Sequence, residues 1–321
     1  MATGNGQEYS YGPAMASQTS IWKRLGQNRT VTVSALVALV IVSAAIAGPF
    51  FVRYNFDQTD LELGLSPPSL ANGHCLGTDT LGRDVLARLL YGGRISLLVG
   101  IISTLVSLMI GVPYGALAGY VGGRVDNVMM RIVDILYSLP YMFLVILLMA
   151  LFATPEFADP LIRFLDLEPN GFWASWLNGP GIRMVLLFAA LGAVSWLTTA
   201  RIVRGQVLSL KNMDFVEAAR SIGLSHRAII FRHLIPNTMG IVIVYATLTI
   251  PSVILQEAFL SFLGLGIRAP QASWGTLVND GVQAMAVAPW LLLFPSLFLA
   301  LTLLSLNFLG DALRDALEVS S

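Results

Sequence analysis

Six stretches of the chain carry no charged residue and are long enough to cross a lipid bilayer: 31–52, 95–121, 135–155, 184–200, 237–256 and 281–310. A spanning helix needs about 20 apolar residues (range about 17–25), because each residue advances it by about 1.5 Å. The fourth stretch is the shortest, and Arg183 and Arg201 at its ends can extend their charged heads toward water. The last is longer than a span requires, so its helix is expected to begin near Pro289 or Trp290. Lipid offers backbone N–H and C=O groups no partner, so these runs are expected to be helices. The expected fold class is all-α: a polytopic membrane protein with six transmembrane helices.

Composition narrows the function classes. Charged residues make up 12% of the chain, against about 25% in soluble domains. Nineteen basic residues balance nineteen acidic ones, so the basic excess that marks a nucleic-acid binder is missing. Cys75 is the single cysteine, and His74, His226 and His233 form no metal-ligand spacing with it. No phosphate-binding loop of the form G-x-x-x-x-G-K-[ST] occurs, so any ATP used must be bound by another chain.

Lysine and arginine placement sets the expected orientation. With the N-terminus inside, the inner segments hold 12 of them, including both lysines, and the outer segments hold 7. Both termini are therefore expected to face the cytoplasm. Ala45-Ile46-Ala47 resembles a signal-peptidase site, but cleavage there would remove 47 residues, beyond the usual range of about 15–30. The first span is expected to be an uncleaved anchor.

Between the spans, residues 1–20 read as a disordered tail. The outer loop 53–94 ends in an amphipathic stretch with Leu81, Val85, Leu86, Leu89 and Leu90 on one face, and Asp84 stands four residues before Arg88 in the favourable order for a pair. A second outer loop, 156–182, carries Trp173 and Trp176, suited to the membrane interface. Pro113, Pro140, Pro251 and Pro295 fall inside spans and are expected to kink them. Gly111, Gly115 and Gly119 form a small-residue series for close helix contact, within the chain or with a partner. Met129-Met130 reads as packing. Glu257 stands in an apolar run that continues to Ile267. A carboxylate there costs several kcal/mol unless paired or hydrated, so it is either part of a translocation path or a structural hydrogen-bonding group near the outer boundary.

The loop between the fourth and fifth spans is the most informative segment. Asp214 suits the N-cap of a helix over Phe215–Ile222, and Gly223 suits the left-handed residue that ends it. Ser225 can cap a second helix, His226–Ile235, which is expected to stop at Pro236. Helix, glycine turn and helix also describe a DNA-reading motif. A 36-residue loop tied to two spans could hardly enter a major groove, so a docking element for a protein partner is the better reading.

Glu217-Ala218-Ala219, Gly223 four residues after Ala219, and His233-Leu234-Ile235-Pro236 together resemble the EAA signature of ATP-binding-cassette (ABC) importer permeases. The common signature has an aliphatic residue where His233 stands; the peptide-permease branch often has His followed by Pro-Asn, as Pro236-Asn237 does here. Gly77-Thr78-Asp79 with Leu81-Gly82-Arg83-Asp84 resembles the C-type subunit of oligopeptide, dipeptide and nickel permeases. Ala200 to Gln206, Ser261 to Gly266, Ser273-Trp274-Gly275 and Leu309 to Asp315 most resemble the oligopeptide version. The resemblance covers roughly Trp22 to Leu317, interrupted near 154–182 by an insertion.

The resemblance implies a type-I ABC importer permease fold. It divides the chain into a cytoplasmic tail (1–29), a first span with outer loop (30–93), a permease domain (94–311) with a coupling loop (204–238), and a C-terminal tail (312–321). It implies a non-catalytic, multi-pass inner-membrane subunit of an oligopeptide importer, paired with a second permease in a heterodimer. Two ABC ATPase subunits would bind ATP and Mg, an extracytoplasmic binding protein would deliver the peptide, and lipid would surround the spans. No cofactor and no nucleic acid belong to this chain. Glu217, Ala218, Ala219, Gly223, His233 and Pro236, in the EAA loop, would couple the chain to the ATPases. Alternatives are a dipeptide, nickel or peptide-antibiotic importer, or a secondary transporter or channel, which would leave the large inner helical loop unexplained.

Overall fold

The computed structural model describes residues 28–152, 160, 162–166, 168, 171, 175, 177 and 181–318. The expected tail over 1–20, Trp173 and Trp176 lie outside the described residues. Helix α1 (Arg29–Ala47) starts at Asn28, whose side chain accepts from the Thr30 N–H at 3.0 Å. Arg94 closes its other end, donating to the carbonyls of Ala45 (2.9 Å) and Ile46 and lying 4.7 Å from the Phe50 ring centre.

Helix α2 (Val85–Val121) begins well before the uncharged run at Ile95. Asp84 caps it by accepting from the Ala87 N–H at 2.7 Å. The amphipathic stretch is therefore largely the first part of α2 itself. It can be helical and buried because its arginines are partnered, Arg94 by the α1 carbonyls and Arg88 by Asp79 and Asp280. The expected Asp84–Arg88 pair is not used; Asp84 instead meets His74 Nδ1 at 2.8 Å.

Helices α3 (Gly123–Ser138) and α4 (Tyr141–Phe152) meet at 87°. Leu139 between them is extended (φ −77°, ψ 135°), as expected of a residue whose α conformation is blocked by the following Pro140. Among the described residues, helices α1, α2, α5 (Ile182–Leu210), α7 (His226–Phe262) and α9 (Trp290–Glu318) are each long and apolar enough to span alone, and the bent α3–α4 pair brings the number to six when it is counted as one broken span. The third uncharged stretch is thus broken at Pro140, and Pro113, Pro251 and Pro295 lie inside α2, α7 and α9. The short helices are α6 (Asp214–Ser221) and α8 (Trp274–Ala284). Helix α9 starts at Trp290, as its excess length suggested.

Helices α2 and α5 lie side by side, and the glycine series explains how closely. A Cβ on Gly115 would fall 2.3 Å from the Ala200 carbonyl oxygen, and one on Gly119 2.9 Å from that of Arg204. The small-residue face therefore serves a contact within this chain. Ion pairs fasten α3 to α5: Arg204 grips Asp126 with two bonds (2.5 and 2.6 Å), and Arg201 meets Asp134 at 2.9 Å. Val99, Val145, Leu187, Leu191 and Val253 pack one part of the core. Ile41, Leu89, Leu97, Ile254 and Trp274 pack another, drawing in α1 and α8.

Candidate functional site

At one end of the bundle α5 runs on to Leu210, and Lys211 donates to the Gly119 carbonyl at 3.2 Å. Met213 rather than Asp214 takes the cap position of α6, in extended backbone (φ −79°, ψ 152°). Asp214 and Glu217 then fall in the first turn, where the helix dipole favours negative charge. Val216 and Ala219 bury themselves against Val203, Val207, Ile229, Ile230 and Leu234. Asp214, Glu217, Ala218 and Ser221 face outward and are exposed. Ile222 ends the helix with 76% of its surface exposed, so the outward face joins a carboxylate to bare apolar surface.

Gly223 has φ +78°. Its N–H donates to Arg220 O (2.9 Å), and the Leu224 N–H donates to Ala219 O (3.1 Å). This pair of bonds is the Schellman closure of a helix, which needs a left-handed residue at this position. A Cβ on Gly223 would meet nothing within 4 Å, so the backbone angle alone demands glycine. Ser225 then caps His226, accepting from the Ala228 N–H at 3.3 Å.

The second helix does not stop at Pro236. A π-helical segment, Ile229–Leu234, carries it into the α-helical Ile235–Phe262, with Pro236 in the first turn of that segment. Proline is excluded from a helix interior by its missing N–H and its clash with the preceding turn; at the start of a new α segment, after a widened π turn, both objections weaken. The hairpin is therefore continuous with a span. Pro236 is exposed, and His233 is half-buried with its carbonyl accepting from Asn237 Nδ2 at 2.6 Å.

Tyr120, near the end of α2, ties the two hairpin helices together. Its hydroxyl lies 2.9 Å from His226 Nδ1, and the Arg220 guanidinium sits 5.4 Å from its ring centre. Nothing in its local sequence marks it, since the partners are about a hundred residues away.

The family described as the binding-protein-dependent transport system inner membrane component matches residues 111–320. The chain belongs to that family. A second match, the N-terminal transmembrane domain of oligopeptide transport permease C, covers residues 18–68. The permease is 45% identical over 303 residues to the oligopeptide transport system permease protein OppC of Haemophilus influenzae, covering 93% of this chain and 88% of that one. The Escherichia coli K12 protein of the same name is 46% identical, covering 93% and 91%. The dipeptide transport system permease protein DppC of Bacillus subtilis is 42% identical, covering 95% and 87%. Among solved structures, an inward-facing MetNI methionine ABC transporter aligns with TM-score 0.48 and 20% identity, covering 71% of the permease and 96% of that chain.

Glu257 lies far along α7 from the hairpin and is fully buried. Ser261 donates to it at 2.6 Å and Ser96 at 3.3 Å. Ser96 Oγ also accepts the Trp274 N–H (3.1 Å), so the carboxylate links α7, α2 and the start of α8. Its neighbour Gln256 instead lines a cavity of about 540 Å³ between the α3–α4 break, α5 and α7. Among the described residues, no group of three or more His, Cys, Asp or Glu is placed to hold a metal ion.

Proposed function

We propose that this permease is the C-type subunit of an ATP-driven oligopeptide importer of the type-I class, set in the inner membrane with both termini in the cytoplasm. The observation that carries this reading is near-full-length similarity, at 45% and 46% identity, to permeases named for oligopeptide transport. The relative named for dipeptide transport, at 42%, supports dipeptides as the second reading. In either case residues 94–311 form the permease domain, and 204–238 its cytoplasmic coupling loop.

The subunit itself catalyses nothing. A second permease completes the passage, two ATPase subunits hold ATP and Mg, and an external binding protein delivers the peptide. Glu217, Ala218 and Ile222 on the outward face of α6 meet the ATPases. Gly223, Ala219, Tyr120 and the continuous α7 pass the motion to the spans, because a buried hairpin and an unbroken helix move as one body. His233 and Pro236 belong to the joint where the hairpin becomes α7. Glu257 serves the path indirectly, by holding α8 against α2 and α7.

A tagged chain purified in mild detergent is expected to bring down both ATPase subunits and the second permease. With the binding protein added, the reconstituted complex should import peptide only when ATP is present. Recovery of the chain without any ATPase, or import that continues without ATP, would overturn the reading. The orientation has its own test. Cys75 is exposed, and an impermeant thiol reagent is expected to label it in intact spheroplasts. Labelling only after permeabilisation would reverse the topology.

A further inference from the structure

We propose that the cavity between the α3–α4 break, α5 and α7 holds the peptide among the spanning helices, and that its uncharged wall grips the peptide backbone without selecting side-chain charge. The inference rests on the peptide-importer reading above. The cavity measures about 540 Å³, within the range of about 300–1,000 Å³ typical of ligand sites. Its wall takes Leu136 to Tyr141 from the start of the third uncharged stretch, Val194 to Thr198 from the second half of the fourth, and Tyr245 to Gln256 from the fifth.

Three further features point to a polar occupant. Non-helical backbone at membrane depth is tolerated where it is buried in protein or lines a hydrated cavity, and the break at Leu139 and Pro140 lines this one. The wall carries Tyr137, Tyr245, Thr198, Thr249, Ser252 and Gln256, and no residue lining it is charged. Asp134 and Arg201, the next charges along α3 and α5, neutralise each other. Finally, Gln256 donates from Nε2 to Ser252 Oγ (3.3 Å), which holds two neutral polar side chains of the wall together. Every peptide has backbone N–H donors whatever its sequence, so neutral donors and acceptors serve them all alike. A fixed charge at this depth would discriminate strongly, because Coulomb forces grow as the dielectric falls.

The test uses the assembled complex with its binding protein in vesicles, and the tripeptides Ala-Ala-Ala, Ala-Asp-Ala and Ala-Lys-Ala as probes. Ser252→Asp on α7 and Thr198→Asp on α5 each place a carboxylate on the wall, and Ser252→Asn is the neutral comparison. Either aspartate variant is expected to lower uptake of Ala-Asp-Ala relative to Ala-Lys-Ala at least fivefold against the wild-type ratio. That ratio cancels the preference of the binding protein. Ser252→Asn should keep the wild-type ratio, as should Glu257→Gln on the buried side of the same helix. An assembled aspartate variant with a ratio within twofold of wild type overturns the inference, as does failure of both aspartate variants to assemble while Ser252→Asn assembles. A shift produced by Glu257→Gln in place of the wall variants would move the path to the other side of α7. If the wild-type complex imports none of the three tripeptides with ATP, the peptide-importer reading itself has failed.

Discussion

Replacing Gly223 with valine, or Glu217 with alanine, is expected to leave the chain inserted in the membrane and to cut peptide import at least tenfold. The two changes act by different routes. Gly223 sits at φ +78° with open space around the missing Cβ, so valine is opposed by the backbone angle and not by crowding. To relieve that strain the turn must unwind, which removes the bonds to Arg220 and Ala219 and with them the fixed angle between α6 and α7. Asparagine tolerates the left-handed region far better than a β-branched residue, so Gly223→Asn should retain most import. Glu217 is exposed, and its loss costs this chain little by itself. In a docked complex its carboxylate would be desolvated against a partner, and removing such a contact costs about 2–5 kcal/mol. Glu217→Ala should therefore weaken ATPase recovery, whereas Gly223→Val should also lose peptide-stimulated hydrolysis. Uptake measured beside ATPase co-purification in reconstituted vesicles decides the matter. Wild-type transport by both variants would remove the coupling role from this hairpin.

Much of that hairpin is legible in the sequence because its signals are local. Gly223 ends one helix and Ser225 starts the next for reasons contained within a few residues on either side. The spans are legible for a similar reason, since an uncharged run in lipid has few alternatives to a helix. What composition misplaces are the helix ends. Helix α2 starts at Val85 and α3 reaches back to Gly123 because Arg88 pairs with Asp79 before the helix and with the distant Asp280, while Asp126 and Asp134 pair with Arg204 and Arg201 on α5. A search for uncharged runs treats each of those residues as a boundary. Pro236 misleads in the opposite direction: a proline that ordinarily stops a helix is accommodated by the π segment before it. Tyr120 and Ser96 had no local signal at all, because each acts on residues about a hundred or more positions away. Local chemistry marks turns and caps, while long-range pairing decides how far helices run and what buried polar groups do.

The second large effect is expected at the opposite end of the bundle, where Asp79→Ala should cost about 3–5 kcal/mol of stability, the range for breaking a buried ion pair. One oxygen of Asp79 accepts the N–H groups of Leu81 (2.9 Å) and Arg83 (3.0 Å), which folds the Gly77 to Asp84 segment on itself. The other receives Arg83 Nε (2.7 Å) and the guanidinium of Arg88. Arg88 is buried, its Nε has no partner, and its second carboxylate, Asp280, stands at 3.5 Å. Without Asp79 the guanidinium would stay out of water with one long contact to oppose its desolvation. The segment also anchors α9 through Trp290 Nε1 and Thr78 O (3.5 Å), so its release should loosen the start of the last span. Thermal denaturation of the purified chain, with proteolysis over residues 53–84, measures both consequences. Removing both charges of a buried pair is often nearly neutral, whereas removing one is not. Asp79→Ala combined with Arg88→Met should therefore be more stable than Asp79→Ala alone. If adding Arg88→Met makes the chain less stable still, the loop is held by its backbone bonds and packing, and the ion pair is not its clamp.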